Sequence, residues 1–150
     1  HNIVESEIKV IEKQAHSLSV RYSKIDQNLD SSKKILIIDS VGSLKHLYKF
    51  TDIAYIGGGM GNSGLHNILE AAVFGIPIII GKNYKGFSEA EDLVKLGGAK
   101  SVNSEIEFKE IFNNLIANKT IREKLGKINK EYVYSNSGGS EKIIKALKKA

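Results

Sequence analysis

Residues 56–81, IGGGMGNSGLHNILEAAVFGIPIIIG, decide the fold, because they set a glycine-rich turn, a helix start and a polar trio between two apolar strands. Ile53 to Ile56 reads as the end of a buried strand. Gly57, Gly58, Gly59, Gly61 and Gly64 then allow positive φ and a close approach of backbone to a ligand. Asn62 or Ser63 is suited to cap a helix that follows, and the unpaired N–H groups and dipole of such a helix favour an anion above the loop. On that helix His66 and Glu70 are four apart and Asn67 is three before Glu70, so the three share one face, while Leu65, Leu69, Ala72 and Val73 take the other. Gly75 can close the helix in a left-handed conformation, Pro77 cannot continue it, and Ile78-Ile79-Ile80 forms the next strand.

This is the layout of a phosphate-binding site, although a glycine cluster taken alone also suits an ordinary strand-to-helix turn. Two familiar alternatives do not fit. The chain has no GxxxxGK[ST], which excludes a P-loop, and GGGMGNSG lacks the GxGxxG spacing and later acidic ribose ligand of a dinucleotide fingerprint.

Working outward, Val4 to Ala15 reads as an amphipathic helix through Val4, Ile8 and Ile11, and Leu18 to Tyr22 as a short strand. A polar loop runs from Lys24 to Lys33. Lys34 to Ile38 reads as a buried strand ending at Asp39, followed by a turn at Gly42 and a helix through Leu44, Leu47 and Tyr48. Beyond the central motif come a helix from Phe87 to Leu96, a turn at Gly97-Gly98, a strand from Lys100 to Val102 and a helix from Glu105 to Ala117. The last third is helical, from Ile121 to Tyr134 and, after a break at Ser137-Gly138-Gly139-Ser140, from Glu141 to Lys149. Strands alternating with helices predict an α/β fold with a Rossmann-like parallel sheet flanked by helices, right-handed crossovers, and ligands at the C-terminal ends of the strands.

Composition narrows the class of function. The 150 residues are enough for a real core, and 41% hydrophobic with 26% charged is ordinary for a globular domain. Zero Cys removes disulfides, thiolate metal sites and Cys nucleophiles together. His1, His16 and His46 have no spacing with acidic residues that would build a metal site, so none is expected. The apolar run around Ile76 to Ile80 is far too short to cross a bilayer. A net charge of +5 favours a nucleotide or an anionic membrane surface, whereas the scattered aromatics and the lack of a recognised module argue against nucleic acid. The chain starts with His and has no signal-peptide pattern, which reads as a piece of a longer protein.

The stretch GGG followed by GLHNILEAAVFGIPIIIG and then NYKGFSEAEDLVKLGGA resembles the donor-binding half of the 3-deoxy-D-manno-octulosonate (Kdo) transferases. DSVGSLKHLYKFTDIAYIGGG, upstream, is similar to the same family's pattern, and the resemblance runs from about Arg21 to Ala99. His-Asn-x-x-Glu followed by Gly-x-Pro is a fairly specific signature of nucleotide-sugar transferases with two Rossmann domains, the GT-B type. Lys82 and Ser43 depart from the pattern, standing where many relatives have Pro and Glu.

The resemblance implies a C-terminal donor-binding domain over residues 1–150, with C-terminal helices from about 121–150, lacking the first strands of its own Rossmann unit. The implied reaction is metal-free, cofactor-free, inverting transfer of Kdo from CMP-Kdo to a lipid A precursor in lipopolysaccharide biosynthesis. It would take place at the cytoplasmic face of the bacterial inner membrane, with peripheral contact to anionic lipid. The acceptor and the general base belong to an N-terminal half, so no catalytic residue is expected here and the isolated piece should be inactive. Donor contacts are expected from Val41, Gly42 and Leu44 around the pyrimidine and from Gly57, Gly58, Gly59, Ser63 and Gly64 around the phosphate. His66 and Asn67 are expected at phosphate or sugar, Glu70 at the ribose hydroxyls, and Asn83 or Lys85 at the Kdo carboxylate. Plainer readings stay open: Ser40 as a helix cap, His66 as a second cap or a general base, and Asn83-Tyr84-Lys85 as a solvated loop. A UDP-sugar transferase of the same fold and a non-catalytic interaction domain are the alternatives for the whole.

Overall fold

The computed structural model describes residues 3–25, 30–61, 64–139, 144 and 147. The chain divides into two compact units, 1–47 and 48–150.

The first unit contains helix α1 (Glu5–Ala15), strands β1 (Ser19–Arg21) and β2 (Ile35–Ile37), and the short helix α2 (Leu44–Leu47). The strands are parallel, with Ser19 opposite Ile35 and Arg21 opposite Ile37. Ile8, Ala15 and Ile37 are buried. Two expectations change here. Val4 and Ile11 of the amphipathic stripe are exposed, and the strand read as buried is half open, with Ile35 40% and Leu36 43% exposed, since among the described residues this sheet has two strands.

What fastens α1 to β1 is an ion cluster. Arg21 donates from Nε and Nη2 to Glu12, both at 2.7 Å, and from Nη1 and Nη2 to Glu5 at 2.8 and 2.9 Å. One planar guanidinium thus serves two carboxylates seven residues apart on the same helix face, with the paired-fork geometry that Lys cannot offer. Beyond the strands, Ser23 donates from its backbone N–H and its hydroxyl to Asp39, joining the segment after β1 to the one after β2.

The second unit contains strands β3 (Ala54–Ile56), β4 (Ile78–Gly81) and β5 (Ala99–Val102), and helices α3 (Leu69–Ala72), α4 (Ser88–Leu96), α5 (Glu105–Ala117) and α6 (Lys119–Ser135). All three strands are parallel and β4 is central. Side chains alternate across a strand, so the run Ile78-Ile79-Ile80 feeds both faces. Ile78 and Ile80 join Ala54, Ile56, Ile68, Ala71, Ala90 and Leu93 in one core, while Ile79 joins Val102, Leu115 and Leu125 in the other, against Phe108 and Ile111 of α5. Covering on both faces is the reason the strand reads as an unbroken apolar run.

Local chemistry sets the helix limits. Ser104 caps α5 by accepting from the Glu107 N–H at 3.2 Å, and Glu107 reaches back to the Asn103 N–H at 2.6 Å. Gly97, at φ +88°, ends α4 in the left-handed conformation. Helix α6 comes close because Gly126 lacks a side chain: a β-carbon there would fall 2.0 Å from the Gly75 carbonyl oxygen. Three residues on, Asn129 is fully buried and donates to the carbonyls of Ile76 at 2.6 Å and Gly98 at 3.0 Å.

The expected helices over 87–96, 105–117 and 121–134 and the strand at 100–102 are present within two residues. The expected helix from 141 to 149 lies outside the described residues apart from 144 and 147.

Hydrogen bonds from Arg21 hold both the Glu5 and Glu12 carboxyls below the usual glutamate value of 4.5, against the opposing effect of desolvation. Carboxylates with depressed folded values stabilise fully above the unfolded value and lose that contribution as pH falls through the folded ones. Arg21→Gln should therefore lower the urea midpoint at neutral pH, with the gap to wild type narrowing below about 4.5. A gap that stays constant on acidification would contradict the cluster's role.

Candidate functional site

The carboxyl ends of β3 and β4 meet under the glycine loop. After Ile56 the chain runs through Gly57, Gly58 and Gly59 and crosses the end of β4, where contact is backbone on backbone. A β-carbon on Gly81 would lie 2.3 Å from the Gly59 carbonyl carbon and 2.4 Å from the Met60 nitrogen. Gly58 sits at φ +91°, and a β-carbon on it would fall 1.9 Å from the Gly64 carbonyl oxygen. These two positions require glycine, one for space and the other for conformation as well.

Two further strands of backbone tie the loop in place. The His66 N–H donates to the Gly57 carbonyl at 3.1 Å, so the segment after the loop folds back on its start. Asn83, just past β4, donates from its N–H to the Gly59 carbonyl at 2.8 Å and from Nδ2 to the Gly61 carbonyl at 3.0 Å. The side-chain amide expected, with Lys85, at the sugar carboxylate thus donates to the loop. Lys85 is exposed at the following turn.

The main correction concerns the helix after the loop. The sequence predicts a helix capped by Asn62 or Ser63 that carries His66, Asn67 and Glu70 on one face; α3 starts at Leu69 and has only four residues. Gly64 at φ +83° and the His66-to-Gly57 bond keep the chain out of helical geometry there, and the Asn67 carbonyl oxygen on its side chain accepts from the Leu69 N–H at 3.0 Å, starting the helix late. The trio therefore spans an irregular turn and the first part of α3. Asn67 Nδ2 donates to Glu70 at 3.3 Å, leaving the Glu70 carboxylate exposed with acceptor sites to spare. A four-residue helix supplies little dipole. Leu65, Ile68, Ala71 and Ala72 form the buried side, whereas Val73, expected inside, is exposed. Ser63 lies outside the described residues, as does Asn62.

His66 lines a hollow of about 120 Å³ with Asn67, Leu69, Phe87 and Glu89. Burial and then the charge of Glu70 push the Tyr48 hydroxyl above its ordinary value. In the first unit, Gly42 turns at φ +82°, Ser40 and Ser43 share a hydroxyl hydrogen bond of 2.6 Å, and Val41 is 81% exposed. Val41, Gly42 and Leu44 line an apolar hollow of about 400 Å³ with Ile8, Ile11 and Ile37. Among the described residues, no group of three or more His, Asp or Glu could hold a metal ion. No described helix is long and apolar enough to cross a membrane.

Several contributors escaped sequence reading. Gly81 and Gly126 look like ordinary glycines until the backbone opposite is seen, and Asn129 looks like a polar residue of an exposed helix.

A parallel sheet with a glycine-rich loop across the carboxyl ends of adjacent strands defines an α/β fold of the kind in which ligands sit at those ends. Relatives then give the family. The chain is 33% identical over 121 residues to the 3-deoxy-D-manno-octulosonic acid transferase of Haemophilus influenzae, covering 79% of this chain and 28% of that protein. It is 29% identical over 143 residues to the enzyme of the same name from Chlamydia pneumoniae, covering 93% of this chain and 33% of that protein. The fold matches the C-terminal CMP-Kdo binding domain of WaaA from Acinetobacter baumannii with a TM-score of 0.73 and 23% identity, over 84% of this chain and 66% of that one. No protein-family model matches. The chain is homologous over most of its length to the Kdo transferases, a family of glycosyltransferases, and spans about a third of the length of these relatives.

Since the loop rests on Gly81 with no room for a side chain, Gly81→Ala must push Gly59 off the strand end. The expected cost is about 1–3 kcal/mol in stability, the usual range for overpacking, measured by urea unfolding. Unchanged stability would mean that the loop does not depend on this contact.

Proposed function

We propose that this chain is the donor-binding domain of a Kdo transferase and holds CMP-Kdo at the carboxyl ends of β3 and β4. The observation that carries the reading is the glycine loop seated on Gly81 in a chain homologous to Kdo transferases. Around it, Gly57 to Gly59 and Gly64 present backbone to the donor phosphate, His66 and Asn67 flank it, and Glu70 accepts from the ribose hydroxyls. Lys85 belongs to the side of the Kdo carboxylate. The fold match to a domain described as binding CMP-Kdo supports this choice of nucleotide over a UDP-sugar.

In the whole protein the reaction is inverting transfer of Kdo to a lipid A precursor in lipopolysaccharide biosynthesis, at the cytoplasmic face of the bacterial inner membrane. The acceptor oxygen forms a bond to the anomeric carbon as the bond from that carbon to the CMP phosphate oxygen breaks. The acceptor proton passes to a carboxylate outside this chain, and CMP departs with the bonding electrons. Negative charge therefore grows on the phosphate in the transition state, where fixed loop amides stabilise it without reorganising. Glu70 acts on binding, since hydrogen bonds to the ribose are equal before and during transfer. This division of labour leaves the chain a binder of donor with no general base of its own.

Titration calorimetry of the whole protein should give saturable binding of CMP and weaker binding of UDP. Tighter UDP binding would move the reading to a UDP-sugar transferase, and no response to either nucleotide would favour an interaction domain. In the same protein, Glu70→Gln should raise the donor KM and lower kcat/KM by about 1–3 kcal/mol of lost charged hydrogen bonding. Wild-type kinetics in that variant would remove Glu70 from the ribose.

A further inference from the structure

We infer that Asn83 is a positioning residue that sets the polarity of the glycine loop, turning two of its carbonyl oxygens away from the anion the loop receives. The inference rests on the donor-binding reading above and changes the role first expected of this side chain.

Past the Gly57 carbonyl, which the His66 N–H holds, a loop made of Gly58, Gly59 and Gly61 has few β-carbons to fix the direction of its peptide planes. Without β-carbons a plane can turn over at small cost, exchanging the N–H it shows a ligand for a carbonyl oxygen. The two choices have opposite electrostatic consequences, because an amide N–H attracts a phosphate and a carbonyl oxygen repels it. Packing on Gly81 limits where the loop lies and leaves the plane direction open.

Asn83 supplies the missing choice. Its N–H holds the Gly59 carbonyl at 2.8 Å and its Nδ2 holds the Gly61 carbonyl at 3.0 Å. In a trans peptide the N–H points opposite to the C=O, so fixing the Gly59 oxygen on Asn83 directs the Met60 N–H away from it. The two acceptors alternate along the loop and both face the segment after β4. One residue, donating from main chain and side chain together, thus consumes both negative ends on that side. A lone main-chain donor could hold Gly59 but would leave Gly61 to turn. The side-chain amide is what a substitution can remove.

The test compares wild type, Asn83→Ala and Asn83→Gln in the whole protein, with CMP and with cytidine, which lacks the phosphate. Asn83→Ala should bind CMP about tenfold more weakly, the effect of losing one orienting hydrogen bond, and bind cytidine as wild type does. Asn83→Gln, which keeps the donor on a longer arm, should recover part of the CMP affinity. Equal weakening of CMP and cytidine, or of neither, would overturn the inference. Amide hydrogen exchange gives a readout independent of any nucleotide. The residue-83 N–H should be protected in wild type and exchange at least about tenfold faster in Asn83→Ala, because the paired bond that steadies the loop is gone. Unchanged exchange would overturn the clamp whatever the nucleotide data. If wild type bound no nucleotide while exchange behaved as expected, the donor reading would fail and the clamp would stand as a structural one.

Discussion

Everything in the second unit depends on β4 being a strand with no free surface. Ile78, Ile79 and Ile80 are fully buried, the first and third on one face and the second on the other, with β3 and β5 paired along both edges. Such a strand can only be approached at its two ends. Its side chains are committed to packing, and its main-chain groups to the ladders, so neither can serve a ligand. At the carboxyl end Gly81 closes the strand without a side chain and Gly59 crosses directly above it. A larger residue at Gly81 would lift the loop from the strand and put distance between the loop and the sheet that anchors it.

The sequence made this central arrangement readable because several kinds of signal agree there. An apolar run bounded by Gly75-Ile76-Pro77 and Gly81 admits a buried strand, and the glycines before residue 65 admit a backbone-lined turn. The helix in between was misread by about five residues. Its hydrophobic spacing fits a helix from 65 as well as one from 69, and the choice is made by the positive φ of Gly64, the His66 bond to Gly57 and the Asn67 side chain on Leu69. None of those three has a periodicity. The roles of Gly126 and Asn129 were illegible for a different reason: each depends on a backbone segment more than thirty residues away, beyond the reach of any local pattern.

The first unit shows a different balance. Its strands β1 and β2 are short and half exposed, so apolar burial contributes less and directional charge pairing contributes more. Arg21 is the buried member of that pairing, and its four donor contacts to Glu5 and Glu12 leave little of its charge unmatched. A buried guanidinium with only one carboxylate would carry a desolvation cost that the second carboxylate offsets. Because Arg21 serves two glutamates seven residues apart on α1, the pairing holds the helix in one rotation about its axis.

Two asparagines give the second unit its remaining order, and they work at opposite ends of the same strand. Before β4, Asn129 donates to the carbonyls of Ile76 and Gly98, fixing the starts of β4 and β5 against α6. Reversing its amide would set oxygen against two carbonyl oxygens, so the direction is dictated by its partners. The cost is that Asn129 Oδ1 has no hydrogen-bond partner among the described residues, pressed as it is against Gly98. After β4, Asn83 donates to the carbonyls of Gly59 and Gly61. In both places an amide gathers two backbone acceptors that strand pairing cannot reach. The difference lies in exposure: Asn129 is sealed in the core, whereas Asn83 is at the surface beside the glycine loop, where its two bonds fix the direction of the Gly59 and Gly61 carbonyls.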